Sequence, residues 1–348
     1  MKFVCDGLSL SEAVIKVSKA CAVRTTAPVM ECIKLSAFGE EVTLLATDGE
    51  LSIRKSVKAE IFEEGEICVP GKLFSDFIVK LSGEEISIAT GEKGVEIRYR
   101  DAGTFMQSLP AEEFPKIDFS VGENSFTMQQ SSLKKIIAET TFCCAQDDSR
   151  PVLKGCLIEA KEGVVTFTAL DGYRMAIAKK NLVSMSGEVK IVCPARTLNE
   201  IEKMIPAEGE TEIFVQRGMI LVSVDDTVLT SRLYGGEFIK KENIIPKNFS
   251  TVVTVDKAAL KSSIERAAIL VRSDKNSLII FDISAGRIEI SSNSEIGNVQ
   301  EPVKAEVEGH DVRIAMNSKF ITEAVGALEE DRITLSLNSQ VQPFICCN

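Results

Sequence analysis

Lys72, Arg196 and Lys319 stand at one recurring place in this chain, and their type and spacing carry its clearest chemistry. Each lies two residues beyond the end of a similar segment: Glu66-Ile67-Cys68-Val69-Pro70, Lys190-Ile191-Val192-Cys193-Pro194 and Arg313-Ile314-Ala315-Met316-Asn317. Pro70 and Pro194 are 124 positions apart, and Pro194 and Asn317 are 123 apart. Each segment leads into a helical pattern, so the cation sits at a helix start, where the helix dipole mildly disfavours it. Three such placements point to one face that meets anions. The predicted first helices add Lys16, Lys19, Lys134, Lys135, Lys257, Lys261 and Arg266, and the second helices add Lys80 and Lys203. Contacts of this kind to phosphates do not depend on base sequence and weaken as salt rises.

Catalytic chemistry finds little support in the residues. His310 is the only histidine and lies between Gly309 and Asp311 in a predicted turn, so a multi-histidine zinc site is excluded. Gly65 to Lys72 looks like a phosphate loop, but five residues separate its glycines and Leu73 stands where Ser or Thr would bind magnesium. The basic residue persists in the other copies while that glycine does not. Glu63-Glu64, Glu112-Glu113 and Glu329-Glu330 are adjacent acids of the kind that line solvated turns. The ten cysteines include the adjacent pairs Cys143-Cys144 and Cys346-Cys347 and no C-x-x-C. That pattern fits reduced, buried thiols better than a zinc knuckle or a disulfide framework. The residues therefore predict a non-catalytic chain with no metal and no cofactor.

The elements that must position these cations come from a repeat of about 123 residues. Thr47-Asp48-Gly49 recurs as Leu170-Asp171-Gly172. Each copy starts with a predicted helix, over Leu8 to Ala20, Gln130 to Glu139 and Asp256 to Ala267, with Ser9 and Asp256 as N-caps. Strands follow at Cys32 to Ala37, Val42 to Thr47, Leu51 to Val57 and Glu66 to Val69, and a second helix runs from Lys72 to Leu81. Three strands close copy one, and copy two has the same trio at Glu212 to Val215, Met219 to Val224 and Val228 to Tyr234. Copy three begins its trio at Arg332 to Leu337 and Phe344 to Cys346, and one terminal strand is expected to be missing. The reading is an α+β chain of three tandem domains, 1–120, 125–246 and 250–348, each with two helices packed on antiparallel sheets. Such repetition suits a scaffold.

A length of 348 residues suits two or three domains, and 45% hydrophobic residues can fill a core in each. The apolar runs are too short to cross a membrane, and no charged-then-apolar leader is visible, so a cytoplasmic location is expected. The net charge of −11 argues against a nucleic-acid-coating exterior and leaves room for a local basic face.

Ser108-Leu109-Pro110-Ala111-Glu112-Glu113-Phe114-Pro115, Ala169 to Ala176 and Ile244-Ile245-Pro246-Lys247, in this order along nearly the whole chain, resemble the bacterial DNA polymerase III beta subunits, the replicative sliding clamps. The resemblance implies a head-to-tail homodimer of three-domain subunits, closed into a ring that encircles and slides on double-stranded DNA, nucleoid-associated and without catalytic activity. It implies DNA-facing basic residues at Arg24, Arg150 and Arg196, beside Lys72 and Lys319. It implies a pocket for short linear peptides of the polymerase III alpha subunit, the clamp loader, repair polymerases and mismatch-repair proteins. That pocket would use Leu153, Leu170, Gly172, Tyr173, Arg174 and Met175 of domain two, and Ile244, Asn317, Phe320, Val341 and Pro343 of domain three. Arg174 is expected to be available for a peptide's polar end. Subunit contacts would join Thr104 to Met106 to Ile269 and Leu270.

The chain departs from the family pattern in places. Ile239 and Asn243 replace a proline and an arginine at the pocket rim. Pro151 and Val152 stand where some members place aromatic DNA contacts. The family's final strand is expected to be absent after Ile345. A shortened clamp that recruits partners poorly is therefore an alternative expectation.

Overall fold

Every copy opens with a strand that the adjoining helical pattern conceals. The computed structural model describes residues 1–147, 149–241, 244–272 and 277–348. Copy one runs β1 (Lys2–Asp6), α1 (Gly7–Val17), β2 (Cys32–Phe38), β3 (Glu41–Thr47), β4 (Leu51–Lys58), β5 (Glu60–Glu63), β6 (Gly65–Pro70), α2 (Gly71–Ile78), β7 (Glu85–Thr90), β8 (Gly94–Tyr99) and β9 (Ala102–Gln107). Copy two repeats that order with β10 (Asn124–Gln129), α3 (Gln130–Ala138), β11 (Gly155–Lys161), β12 (Val164–Leu170), β13 (Met175–Asn181), β14 (Ser184–Ser186), β15 (Val189–Pro194), α4 (Ala195–Met204), β16 (Glu210–Gln216), β17 (Met219–Val224) and β18 (Thr227–Arg232). Copy three has β19 (Thr251–Asp256), α5 (Lys257–Val271), β20 (Leu278–Ser284), β21 (Arg287–Ser294), β22 (Gly297–Gly309), β23 (Val312–Asn317), α6 (Ser318–Ala327), β24 (Arg332–Leu337) and β25 (Ile345–Cys347). The single strand β22 takes the place of the pair β4 and β5.

The opening strands alternate as half-buried strands do. Phe3 and Cys5, Phe126 and Met128, and Val253 and Val255 are all buried. A helix follows each at once because the buried positions switch to helical spacing: Leu10, Ala13, Val14 and Val17 in α1, and Leu260, Ile264, Ala267 and Val271 in α5. Asp256 caps α5 as expected, its side chain accepting from the Ala259 N–H. Ser9 does not cap α1. Asp6 does, accepting from the Ser9 N–H at 2.8 Å, so the helix starts two residues before Ser9. The first helical residue of each copy ties back to the closing strands through one backbone bond. Gly7 donates to Glu84 O, Gln130 to Gly209 O and Lys257 to Asp331 O, each at 2.8 Å. Gly7 is required there, since a Cβ would lie 2.2 Å from Leu81 O and 2.5 Å from Glu84 O.

Among the described residues the strands pair antiparallel, in sheets of five, nine, four and seven. The five-stranded sheet is β5-β1-β7-β8-β9 and the seven-stranded sheet is β23-β20-β21-β22-β19-β24-β25. The nine-stranded sheet, β14-β10-β16-β17-β18-β4-β3-β2-β6, joins copies one and two edge to edge. Its joint is β4 against β18, with Leu51 opposite Ser231 and Lys55 opposite Thr227. The chain divides into two compact units. The first comprises Met1–Ile137, Cys144–Thr168 and Ala178–Gly236, and the second comprises Ala138–Cys143, Ala169–Ile177 and Glu237–Asn348. The second unit has its own core, with Phe281, Leu260, Ile264 and Leu335 fully buried. Among the described residues no helix is long and apolar enough to cross a membrane.

Candidate functional site

The Asp-Gly motifs build the same turn twice. Gly49 and Gly172 have φ of 90° and 93°, a left-handed conformation that glycine adopts without strain. The preceding aspartate locks the turn from its side chain. Asp48 Oδ1 accepts from Glu50 N at 3.0 Å and Leu51 N at 2.8 Å. Asp171 Oδ1 accepts from Tyr173 N at 2.9 Å and Arg174 N at 3.0 Å. In both turns the second carboxylate oxygen is left to face a guanidinium.

In the second unit that guanidinium is Arg174. Its Nε donates to Asp171 Oδ2 at 2.9 Å, Nη1 to Glu323 Oε2 of α6, and Nη2 to Phe142 O at 2.8 Å. The guanidinium carbon lies 4.3 Å from the Phe320 ring centroid and 5.2 Å from that of Phe142. Burial would weaken the charged form, but Glu323 and Asp171 outweigh it and hold the Arg174 pKa above its ordinary value. This arginine is a strut within the fold. Each of its three nitrogens already donates to a protein acceptor, so a peptide's polar end would meet an arginine that is held within the fold. Glu323 and Phe142 were not foreseen as its partners.

Apolar side chains surround this strut. Asn317 caps α6 by accepting from Phe320 N at 3.2 Å, which fixes where Phe320 projects. The Tyr173 and Phe320 rings are tilted at 37° with centroids 6.1 Å apart, and Tyr173 is 86% exposed. Val341 is equally exposed, Pro343 and Gly172 are exposed, Ile244 is partly so, and Met175 is half-buried. Leu170 is buried at the end of β12. All of these residues belong to the second compact unit, whereas Leu153, also buried, belongs to the first. Ile239 is half-buried and Asn243 lies outside the described residues.

In the first unit the guanidinium is Arg196. Nη1 donates to Asp48 Oδ2 and Nη2 to Lys19 O at 2.9 Å. Arg196, Asp48, Glu50, Arg24, Val23 and Cys21 line an open cleft of about 600 Å³. Arg24 and Arg150 are exposed, each on the segment before a short 3-10 helix that begins with Pro28 or Pro151.

Lys72, Arg196 and Lys319 each occupy the second position of a second helix, α2, α4 or α6. They are all exposed but not equivalent, because among the described residues only Arg196 of the three is engaged with a carboxylate. The first-helix cations also divide. Lys257 donates to Leu328 O and Glu329 O, each at 3.0 Å, and Arg266 pairs with Glu301 through two contacts of 2.7 Å. These two therefore contribute to contacts within copy three. Among second-helix residues, Lys203 is held by Glu200 at 2.8 Å.

The positions expected at subunit contacts lie on β9 and α5. Thr104 is half-buried and Met106 is 4% exposed, its side chain turned into its own sheet. Phe105 between them is 51% exposed and Ile269 is 63% exposed, while Leu270 is half-buried. β9 ends the five-stranded sheet, and β22 pairs with β21 along Gly297 to Lys304.

Comparison with known proteins agrees with this architecture along its length. Residues 1–118, 127–240 and 242–348 match, in turn, the N-terminal, central and C-terminal domains of the DNA polymerase III beta subunit. A beta sliding clamp of Staphylococcus aureus is 30% identical over 339 residues, covering 94% of this chain and 90% of that protein. The crystal structure of the Bacillus subtilis DNA polymerase sliding clamp superposes with a TM-score of 0.95 at 27% identity, over 99% of this chain and 95% of that one. The Pseudomonas aeruginosa sliding clamp bound to griselimycin gives 0.92 at 25% identity, again over 99% and 95%.

Proposed function

Since this chain belongs to the bacterial DNA polymerase III beta subunit family, the sliding clamps, we propose that it is a DNA polymerase processivity clamp. It acts in the cytoplasm as a head-to-tail homodimeric ring around duplex DNA, without a catalytic centre of its own. Its three domains, 1–120, 125–246 and 250–348, present Arg24, Arg150, Lys72, Arg196 and Lys319 to phosphates. Peptides of the polymerase alpha subunit, the clamp loader and repair proteins dock on the apolar residues around Tyr173 and Phe320.

The observation that carries this reading is the edge-to-edge joint of β4 and β18. It supports a rule for ring growth: the closing strand of one copy pairs with the fourth strand of the copy before it. Copy one's closing strand is β9, and the counterpart of β4 in copy three is the first part of β22. Among the described residues each has a strand on one side only along that stretch. Pairing β9 of one protomer with β22 of another would repeat the internal joint, head to tail, and close rather than extend the array. Phe105, Ile269 and Ile296, which are 51%, 63% and 80% exposed, would be covered by it.

Light scattering over a dilution series tests the ring. A mass near twice 37.9 kDa is expected, and a monomer at every concentration would refute the dimer. Charge reversal of Arg24, Arg150 and Arg196 to Glu should abolish retention on nicked circular duplex while leaving that mass unchanged. Griselimycin, carried by the Pseudomonas clamp, probes the pocket: the wild-type chain is expected to bind it, and Tyr173→Ala with Phe320→Ala to weaken it.

A further inference from the structure

Arg196 is expected to meet DNA phosphates, yet it is engaged with Asp48 and with the Lys19 carbonyl. Asp48 is not a mobile acid that happens to be near. Its Oδ1 is fixed by two backbone N–H groups of the Asp-Gly turn, and its side chain is only 13% exposed against 52% for Arg196. The Lys19 carbonyl ends the first-helix region of copy one, where a 3-10 turn over Ser18–Ala20 follows α1, so it is a helix-end acceptor that favours cations. The two acceptors hold the guanidinium from one side, and the rest of it opens into the cleft that Arg24 and Glu50 also line.

We propose that Asp48 restrains DNA contact: it neutralises Arg196 in the free protein, so that a phosphate must compete with a preformed carboxylate partner to engage this arginine. The restraint rests on the DNA-facing reading of Arg24, Arg150 and Arg196. Its physical basis is that a phosphate contact adds affinity only by the difference between the bond it makes and the bond it displaces. A clamp benefits, because contacts weak enough to exchange rapidly let the ring slide. The counterpart turn in copy two differs in a telling way. Asp171 turns to Arg174 in its own turn, and Lys319, at the position equivalent to Arg196, is exposed with no ion pair to a described residue. The arrangement at Arg196 is therefore not repeated at Lys319.

The test is Asp48→Asn, which keeps an oxygen for the Glu50 and Leu51 N–H groups and removes the charge. Affinity for a fluorescent linear duplex is measured by anisotropy across a salt series, alongside Arg196→Ala and the double variant. Asp48→Asn is expected to bind about threefold to fivefold tighter at low salt, the value of an exposed ion pair released. Its logarithmic salt slope should steepen by about one. Arg196→Ala should cost less in the wild-type background than in Asp48→Asn, and that coupling is the signature of the restraint. Equal affinity in Asp48→Asn, or equal effects of Arg196→Ala in both backgrounds, overturns it. Thermal melting and light scattering of the same proteins identify any variant that is misfolded, and Asp48→Ser, whose hydroxyl can still accept from the turn N–H groups without carrying a charge, then replaces Asn with the same expected tightening and steeper slope. If Arg24→Ala and Arg150→Ala also leave binding unaltered, the DNA-facing reading itself fails, which is a different result from failure of the restraint alone.

Discussion

Removing the Arg174 side chain distinguishes a structural strut from a ligand contact. In Arg174→Ala three charge-assisted donors disappear together with stacking on Phe320 and Phe142. Each such hydrogen bond is worth about 1.5–3 kcal/mol net, and each aromatic contact about 0.5–1. A plain sum overstates the loss. Asp171 still accepts from two backbone N–H groups, and Glu323, with a side chain 33% exposed, is rehydrated. A cost of about 2–3 kcal/mol is the working value, falling on the local contact between the Asp171 turn and α6 within the second unit. Amide hydrogen exchange reads that directly. Protection at Asp171 to Met175 and in α6 should fall about thirtyfold to a hundredfold, at 1.4 kcal/mol per decade. Arg174→Lys should recover only a small part, since an ammonium neither forks to two acceptors nor stacks. Unchanged protection, with loss confined to ligand affinity, would refute the strut and restore Arg174 as a peptide contact.

Three other outcomes are expected. Gly7→Ala should lower the melting temperature markedly, because its Cβ would meet Leu81 O and Glu84 O at 2.2 and 2.5 Å and break the tie between α1 and the closing strands; an unchanged melt would show that the backbone yields freely. The Asp6 carboxyl is held below its usual pKa by the Ser9 N–H and hydroxyl. A depressed folded pKa contributes stability above the unfolded value and loses it as pH falls through the folded one, so wild type should lose more stability than Asp6→Asn below about pH 4. Parallel acid titrations of the two would contradict that. Among the thiols, Cys347 is exposed while Cys21, Cys68 and Cys346 are pushed up to about 12, chiefly by burial. Iodoacetamide at pH 8 should therefore give one fast adduct, located at Cys347 by peptide mass mapping; a first adduct elsewhere would overturn the ranking.

Helices and strands with a full period of their own were legible in the sequence. The second helices, the closing trios and the repeat spacing needed only local pattern, since a helix or strand buries one face whatever it packs against. The opening strands β1, β10 and β19 were hidden for a local reason as well: five or six alternating residues run straight into a helix without a turn between them. Phe3 and Cys5, or Val253 and Val255, carried the signal. Ser9 looks like the cap because Gly7 is an unusual helix start, and what demands glycine there is the carbonyl of Leu81. Met106 is the expected edge contact on β9, but strand alternation buries it and exposes Phe105 instead.

The sequence by itself determined the threefold repeat, the α+β pattern, the Asp-Gly turns and the placement of Lys72, Arg196 and Lys319 at helix starts. The turns, helix starts and element pattern depend on residues within a few positions of one another, and the repeat shows as the recurrence of those local patterns. Only the tertiary structure decided what each charge does. Arg174 meets Glu323 across 149 positions and Arg196 meets Asp48 across 148. No local spacing encodes such a pair: which carboxylate an arginine reaches is fixed by how the copies fold together, and that contact decides whether its charge is held within the fold or left to solvent.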